Sequence, residues 1–211
     1  MKKTIVLLLL AIISTTAHSQ KSKKPAKAAD QKGIMLAKSE NLVAALVDKR
    51  GSAQFYLLSG SGSKTDSMLI KPISNKSPES LPAECKITPF SAKGEKLHLL
   101  TWKEKSTTGD IKKRQEVATE THSEIWDIKA KQMLHSNIQK VVNITEIVFL
   151  DPNNTASKTV EKVRREGFEF SLNPEGDFIL KNKTQEDKYS YDAAAKKFGA
   201  VKSAVGSSKK K

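Results

Sequence analysis

Short stretches rich in β-branched, aromatic and aliphatic residues recur along most of this 211-residue chain, and turn-sized polar segments separate them. Asn41–Val47 and Ser52–Leu58, for example, flank the turn sequence Asp48–Gly51. Segments of this length and composition are typical of β-strands. About ten of them follow one another, and strands joined by short turns pair as antiparallel neighbours. The pattern predicts a mainly β fold, an antiparallel meander that forms a β-sandwich or an open barrel with one or two short helices.

The clearest strand pairs flank recognisable turn sequences. Gly167–Leu172 alternates between apolar and polar residues, the turn sequence Asn173–Gly176 follows, and Phe178–Leu180 returns. This order predicts a hairpin, since Asn, Pro and Gly favour tight turns. Cys85–Phe90 and Lys96–Trp102 are predicted to form a second pair by the same reasoning.

Four segments are less regular, and each carries its own prediction. Glu116–Ile128 has no cleanly apolar face, which favours an edge strand or a strongly exposed ribbon. Val141–Leu150 is dense in β-branched residues and is predicted to be the best-buried strand. Lys158–Glu166 shows helical spacing and is predicted to form a short helix, although an alternating strand also fits. Ala193–Phe198 is predicted to close the fold with a helical turn.

The N-terminus has the three parts of a secretory signal peptide. Met1–Lys3 is basic, Ile5–Ile13 is a continuous apolar run, and Ala17–Ser19 is a small-x-small cleavage sequence. The apolar run is shorter than the roughly 20 residues that span a bilayer, so no transmembrane segment is predicted. We therefore expect a secreted or periplasmic protein that is cleaved near Ser19 and Gln20.

The formal net charge of +14 is concentrated outside the strand-like region. Residues 20–33 hold five lysines against one aspartate, and residues 199–211 hold four lysines and no acid. Both flanks are also rich in Ala, Ser and Gly, a composition typical of disorder. The sequence thus predicts a signal peptide at 1–19, a basic disordered linker at 20–33, a single β-rich domain at 34–198 and a basic disordered tail at 199–211.

Basic flanks of this kind attract anionic surfaces weakly and without sequence specificity. Outside the cytoplasm such surfaces are lipid head groups and acidic glycans, so we expect an envelope protein or an anionic surface as the partner. Dedicated nucleic-acid binding is not predicted, because aromatic residues make up only 6% of the chain and no aromatic-basic motif occurs.

No catalytic, cofactor-binding or metal-binding motif is found in the sequence, so no such residue is predicted. His98, His122 and His135 lack the close spacing of metal ligands. Cys85 lies in a strand-like segment, where a small buried side chain is expected. The best carboxylate pairs for a hydrolase are Glu120 with Glu124 and Glu146 with Asp151, which solvated or Lys-paired positions explain equally well.

Two groups of residues are candidate binding sites. The first is a cluster of cations that could contact an anion, formed by Lys162, Arg164 and Arg165. The second is an aromatic face that could stack on sugar rings, formed by Trp102, Trp126, Tyr189 and Tyr191. Core and rim positions are the competing interpretation of these aromatic residues.

These features favour a non-enzymatic binding or assembly module of the cell envelope. A hydrolase acting on envelope polymers and a small-ligand or lipid carrier are the alternatives. A cleft with converging Glu or His side chains would indicate the hydrolase, and a deep apolar cavity would indicate the carrier. An exposed sheet face with unpaired edges would indicate the binding module.

The predicted leader can be tested directly by the mass of the exported protein. When the full chain is expressed in a bacterium with a periplasm, we expect the soluble envelope fraction to hold a chain that begins at Gln20. Intact-mass spectrometry of that fraction gives the measurement. A chain that retains Met1 and sediments with the membranes would contradict the prediction.

Overall fold

Three antiparallel sheets contain nearly all the regular structure of this protein. A computed structural model describes residues 33–49, 51–60, 65–74 and 77–201, so the predicted signal peptide and most of both basic flanks lie outside the described residues. The strands are β1 (Gly33–Ser39), β2 (Leu42–Lys49), β3 (Ser52–Ser59), β4 (Asp66–Pro72), β5 (Ala83–Ala92), β6 (Glu95–Asp110), β7 (Arg114–Asp127), β8 (Gln132–Phe149), β9 (Ser157–Gly167), β10 (Glu169–Leu172), β11 (Phe178–Lys181), β12 (Glu186–Asp192) and β13 (Lys197–Ala200).

Each sheet is a meander in which neighbours in sequence pair as neighbours in space. The first sheet has the order β1–β2–β3–β4, the central sheet β5–β6–β7–β8–β9, and the third sheet β10–β11–β12–β13. This confirms the predicted antiparallel, sandwich-like meander and both predicted hairpins, which are β5–β6 and β10–β11. The helical content of the described residues is one turn of 3-10 helix, Pro78–Ser80.

The central sheet contributes side chains to two separate cores, because successive residues of a strand point to opposite faces. Leu100, Trp102 and Trp126 face the first sheet and pack in a core with residues such as Phe55. Leu99 and its neighbours on the same face pack against the third sheet. That second core is formed by Ala92, Leu97, Leu99, Ile125, Phe178, Leu180 and Tyr191. The molecule therefore buries both faces of one half of its central sheet.

The two predicted helical segments are strands and turns instead. Residues 158–166 belong to β9, which pairs with β8 from Ser157 opposite Phe149 to Gly167 opposite Gln139. Pairing with β8 satisfies the backbone hydrogen-bonding groups of residues 158–166, and the β-branched residues within this range favour a strand. At the chain's last hairpin, the side chain of Asp192 accepts hydrogen bonds from the amides of Ala194 and Ala195, which makes a turn that precedes β13.

The prediction of an exposed or edge strand at 116–128 was wrong. Strand β7 lies in the middle of the central sheet, between β6 and β8. His122, Ser123 and Glu124 are buried there together with Ile125 and Trp126. His122 enters this interior because Trp102 of the neighbouring strand β6 covers its ring, and Glu124 enters it because Trp126, two residues further along β7, donates to its carboxylate.

The prediction that Val141–Leu150 is the best-buried strand was wrong, because this part of β8 has two buried residues whereas the shorter β2 has five. Val142 and Ile144 are buried, whereas Phe149 is 49% exposed and Leu150, just after the strand, is 60% exposed. The strand runs on past the packed half of the central sheet, where Lys105–Asp110 of β6 is also exposed. We call the β6–β7 turn (111–113), the end of β8 (147–149) and the β8–β9 loop (150–156) the distal end.

A close backbone contact joins the third sheet to the central sheet. Gly176, in the β10–β11 turn, has a φ of +86°, and a Cβ at this position would lie 2.3 Å from the carbonyl oxygen of Ser91. Gly94, in the β5–β6 turn, has nearly the same φ of +87° but open space around its missing Cβ. A comparison of alanine substitutions at these two glycines therefore distinguishes the cost of backbone strain from the cost of disturbing the contact between the third and central sheets.

Replacing each of these glycines with alanine should give different losses of stability. Gly94→Ala carries only the cost of a left-handed conformation, about 1–2 kcal/mol. Gly176→Ala should cost a further ~1–3 kcal/mol, because the turn must move away from Ser91. Urea unfolding followed by circular dichroism measures both, and equal losses would show that the turn does not press on the central sheet.

Candidate functional site

A row of polar side chains lies inside the molecule, on the face of the central sheet that meets the first sheet. The indole Nε1 of Trp102 donates a hydrogen bond to Glu104 at 2.7 Å, and that of Trp126 donates to Glu124 at 2.9 Å. The ring of His122 stacks on Trp102 with 4.5 Å between centroids and 6° between planes. These contacts explain how β7 buries polar residues: each indole supplies a donor to a carboxylate, and Trp102 also covers the imidazole.

Two carboxylates of this row face each other across the sheet. Glu104 lies directly opposite Glu120, and each has its own lysine partner, Lys71 at 2.7 Å and Lys140 at 2.9 Å. The Nε2 atom of His122 is 3.9 Å from one oxygen of Glu104 and 3.9 Å from one oxygen of Glu120. It makes no hydrogen bond to any residue that the structure describes. The lysines offset the repulsion of like charges placed opposite each other.

Burial controls the titration of this row. Desolvation lowers the pKa of His122, and the charge of Lys71 adds to that effect against the pull of Glu104 and Glu120. Desolvation raises the pKa of Glu124, which the hydrogen bond from Trp126 only partly offsets. The imidazole is therefore neutral near pH 7, and His122 and Glu124 are closed to solvent at 7% and 9% exposure, whereas Glu104 lines a small open pocket beside Lys71.

The carboxylate pairs considered for a hydrolase do not have a suitable geometry. Glu120 and Glu124 are four residues apart on one strand, so their Cα atoms lie about 13 Å apart, beyond the separation that glycoside hydrolases use. Glu146 is paired with Lys162 at 3.2 Å, and Asp151 accepts hydrogen bonds within its own loop. Burial raises the pKa of the Cys85 thiol to about 11, with a smaller contribution from Glu104, which keeps it protonated and unreactive.

A groove that is open to solvent lies at the other core, where β9 bends into β10. Its volume is about 420 Å³. It is lined by Gln139, Arg165, Gly167, Glu169, Lys181, Asn182, Lys183 and Thr184. We call these residues the basic groove, since they include three cations and one acid.

Two elements of local structure shape the basic groove. At its base the chain turns sharply at Gly167, where the backbones of β9 and β8 lie so close that a Cβ on Gly167 would be 2.3 Å from the carbonyl oxygen of Ile138. Next to this glycine, Asn137 Nδ2 donates a hydrogen bond to the Phe168 carbonyl at 2.9 Å. At its rim the β11–β12 turn is ordered by Asn182, whose Oδ1 accepts from the amides of Thr184 at 2.9 Å and Gln185 at 2.8 Å. The groove is thus preformed by backbone contacts.

The predicted anion cluster is divided between the two faces of β9. Arg164 pairs with Glu166 at 2.6 Å and with Glu116 at 3.5 Å, and Lys162 pairs with Glu146. Arg165 points to the opposite face and lines the basic groove. The prediction that Lys162, Arg164 and Arg165 act together is therefore wrong, because neighbouring residues of a strand cannot share a face.

The cations of the basic groove differ in how far they are neutralised. Lys181 pairs with Glu186 at 2.6 Å across the β11–β12 hairpin. Arg165 and Lys183 form no ion pair with any residue in the described part of the chain. Two positive charges therefore remain available to a ligand in the groove.

The four aromatic residues predicted as one binding face belong to two cores. Trp102 and Trp126 are buried between the first and central sheets, at 2% and 6% exposure. Tyr191 and Tyr189 pack between the central and third sheets, where Phe178 stacks on Tyr189 at 4.8 Å. The two tryptophans and the two tyrosines therefore lie against opposite faces of the central sheet, and the predicted sugar-stacking face does not form.

Sequence reasoning missed most of the basic groove. Lys181–Thr184 is a short polar turn between two strands, and its one visible signal was an Asn-x-Thr sequence at Asn182 that matches a glycosylation acceptor. Gln139 comes from a strand that is distant in sequence. Only the pairing of Gln139 with Gly167, and of Glu169 with Lys181, brings these residues together.

Comparisons with known proteins find no match, whether with protein-family models, with curated proteins or with solved structures. Over the residues that the structure describes, no helix is long and apolar enough to cross a membrane. Within the same residues, no three His, Cys, Asp or Glu side chains are grouped as metal ligands. The case for function rests on the geometry of the chain itself.

Three histidines that each have a buried ring nitrogen predict a loss of stability in mild acid. Desolvation lowers the folded-state pKa of His98, His122 and His135 below the usual 6.5, so the unfolded chain takes up protons more readily. Their contribution to stability is complete above pH 6.5 and is lost as the pH falls through the folded pKa values. Each proton lowers the free energy of unfolding by at most about 1.4 kcal/mol per pH unit.

His135 offers the simplest test, because desolvation is the sole cause of its shift and its ring packs on Phe178 at 4.4 Å. His135→Phe should gain stability relative to the parent as the pH falls from 7.5 to 5.0, measured by urea unfolding. The control Phe198→Leu, in the same core but packed on Phe178 and Tyr191, should keep a constant difference. If His135→Phe also keeps a constant difference, the imidazole does not titrate in this range.

Proposed function

We propose that this protein is a non-enzymatic, extracytoplasmic binding module whose basic groove holds an acidic sugar of an envelope glycan. The observation that carries the proposal is a preformed groove of about 420 Å³ in which Arg165 and Lys183 face the opening without a carboxylate partner among the described residues. An unpaired guanidinium at a groove is a binding group for a carboxylate, sulfate or phosphate, which it can contact through two parallel hydrogen bonds.

The remaining lining residues suit a sugar that carries the acidic group. Glu169 would repel a bare anion but accepts hydrogen bonds from hydroxyl groups. Gln139 can donate to and accept from the same hydroxyls. A ligand with one acid and several hydroxyl groups therefore complements the groove better than an inorganic anion or a purely apolar molecule does.

The predicted secretion of the chain and its basic flanks agree with an envelope ligand. Flanks that carry nine lysines attract an acidic polymer before the groove engages, although salt screens that attraction beyond roughly 8–10 Å. The flanks would raise the rate of encounter, and the groove would supply the selectivity. The localisation and the role of the flanks are parts of the proposal.

The two alternative functions find less support in the geometry. A carrier needs a deep apolar cavity, whereas the basic groove is open and lined by polar and charged residues. A hydrolase needs converging acidic groups that a substrate can reach, whereas His122 and Glu124 are buried and Glu104, at the edge of the row, is paired with Lys71. An open groove beside an exposed edge strand, β9, favours the binding module.

The proposal predicts that Arg165→Gln weakens binding to an acidic glycan by about tenfold or more, because one charge-assisted hydrogen bond contributes roughly 1.5–3 kcal/mol. The probe is oligogalacturonate of defined length, and the affinity of the full chain is measured by calorimetry at 0.15 M salt. Lys183→Gln should weaken binding in the same direction.

Lys162→Gln is the matched control, since Lys162 lies on the same strand, on the opposite face, and is already paired with Glu146. All variants keep both basic flanks, so differences among them report the groove. Equal affinity of Arg165→Gln and Lys162→Gln would overturn the groove as the binding site and would assign any binding to the flanks.

A further inference from the structure

The distal end of the central sheet presents large apolar side chains to solvent. Ile111 in the β6–β7 turn is 63% exposed, Phe149 at the end of β8 is 49% exposed, and Leu150 in the β8–β9 loop is 60% exposed. The two loops are neighbours, because the amide of Ile147 donates to the Lys113 carbonyl at 2.8 Å. Phe149 lies about 7 Å further along β8. Apolar residues grouped in this way at one end of a molecule are typical of an interaction surface.

Both loops are held in place by hydrogen bonds of their own. In the β6–β7 turn, Asp110 accepts from the amides of Lys112 and Lys113, each at 2.9 Å. In the β8–β9 loop, the carboxylate of Asp151 accepts from Thr155 Oγ1 at 2.6 Å and from the amide of Ala156 at 2.8 Å. These hydrogen bonds order the backbone of the two loops that carry Ile111 and Leu150.

Three lysines lie at the same end of the sheet as the apolar group. Lys112 and Lys113 adjoin Ile111 in the chain, and Lys158 of β9 lies opposite Val148 in the ladder, on the face opposite to that of Phe149. Within the part of the chain that the structure describes, none of the three forms an ion pair. The acids of the two loops, Asp110 and Asp151, have carboxylates that already accept hydrogen bonds from the loop backbone. The distal end therefore combines exposed apolar side chains with unpaired ammonium groups.

We infer that the distal end docks on an anionic lipid bilayer, with Ile111, Phe149 and Leu150 entering the interfacial region and the lysines contacting head groups. Apolar side chains beside lysines are the combination that binds anionic membrane surfaces, because both burial and charge attraction contribute. Long lysine side chains can extend their ammonium groups to the head groups while their methylene chains lie along the apolar residues. This surface is separate from the basic groove and does not depend on it.

Charge argues against a second copy of the chain as the occupant. A twofold contact between two distal ends would place Lys112, Lys113 and Lys158 beside the same lysines of the other copy. An anionic bilayer supplies instead a dense layer of negative head groups around an apolar interior. The same surface could contact another protein only if that partner were both apolar and acidic, which the experiment below distinguishes.

The test measures binding of the full chain to vesicles of phosphatidylcholine in which about one lipid in three is the anionic phosphatidylglycerol. The paired substitution Ile111→Ser with Leu150→Ser should weaken binding by about tenfold or more at 0.5 M salt, where the attraction of the basic flanks is screened. Ile34→Ser with Met35→Ser is the matched control, because those residues are 64% and 61% exposed but lie on β1.

Insertion itself is measured by the fluorescence of an indole introduced by Ile111→Trp. We expect a blue shift and quenching by brominated lipids when vesicles are added, and neither should occur for Ile34→Trp. The inference is overturned if the distal pair and the β1 pair bind vesicles equally, or if the introduced indole stays in water. It is also overturned if the paired substitution Ile111→Ser with Leu150→Ser leaves vesicle binding unchanged and alters only the self-association of the protein, seen by sedimentation, or its capture by an acidic protein. Since the vesicles contain no glycan, Arg165→Gln should bind them normally, which separates this result from the test of the groove.

Discussion

The structure depends on the central sheet having side chains that can be buried on both faces. Leu100 and Trp102 on one face and Leu97 and Leu99 on the other alternate along a single strand, β6, and all four are buried. Each large apolar side chain contributes roughly 1.5–3 kcal/mol when it leaves water. The first and third sheets are small, and each buries an apolar face by packing on the central sheet. Without the alternation in β6, neither outer sheet would have a surface to cover.

Burial on both faces also explains the polar residues of the interior. The face that meets the first sheet includes Glu104, His122 and Glu124, whose desolvation is tolerated because Trp102 and Trp126 donate hydrogen bonds to the carboxylates. The remaining cost appears as an imidazole with an unpaired nitrogen and as shifted pKa values. These groups resemble catalytic components in type, but the closed position of His122 and Glu124 makes those two side chains part of the core.

The two proposed binding surfaces lie where the central sheet leaves its two cores. The basic groove forms where β9 turns at Gly167 towards the third sheet, and the distal end forms where β8 continues beyond both outer sheets. Gln139 and Phe149 are ten residues apart on β8, so about 33 Å separates the two surfaces along the strand. A membrane at the distal end would thus hold the groove well away from the lipid surface, where a glycan could reach it.

The sequence by itself determined the strands, the turns and the antiparallel meander, because alternation and turn residues act between close neighbours in the chain. It also determined Arg165 as a candidate anion contact, but it grouped that residue with Lys162 and Arg164 and placed a helix where β9 forms. Only the tertiary structure decided which strands are central, which polar residues are buried, and which cations keep their charge unpaired. Those properties depend on register and on packing between sheets, and both join residues, such as Gln139 and Lys183, that local sequence cannot relate.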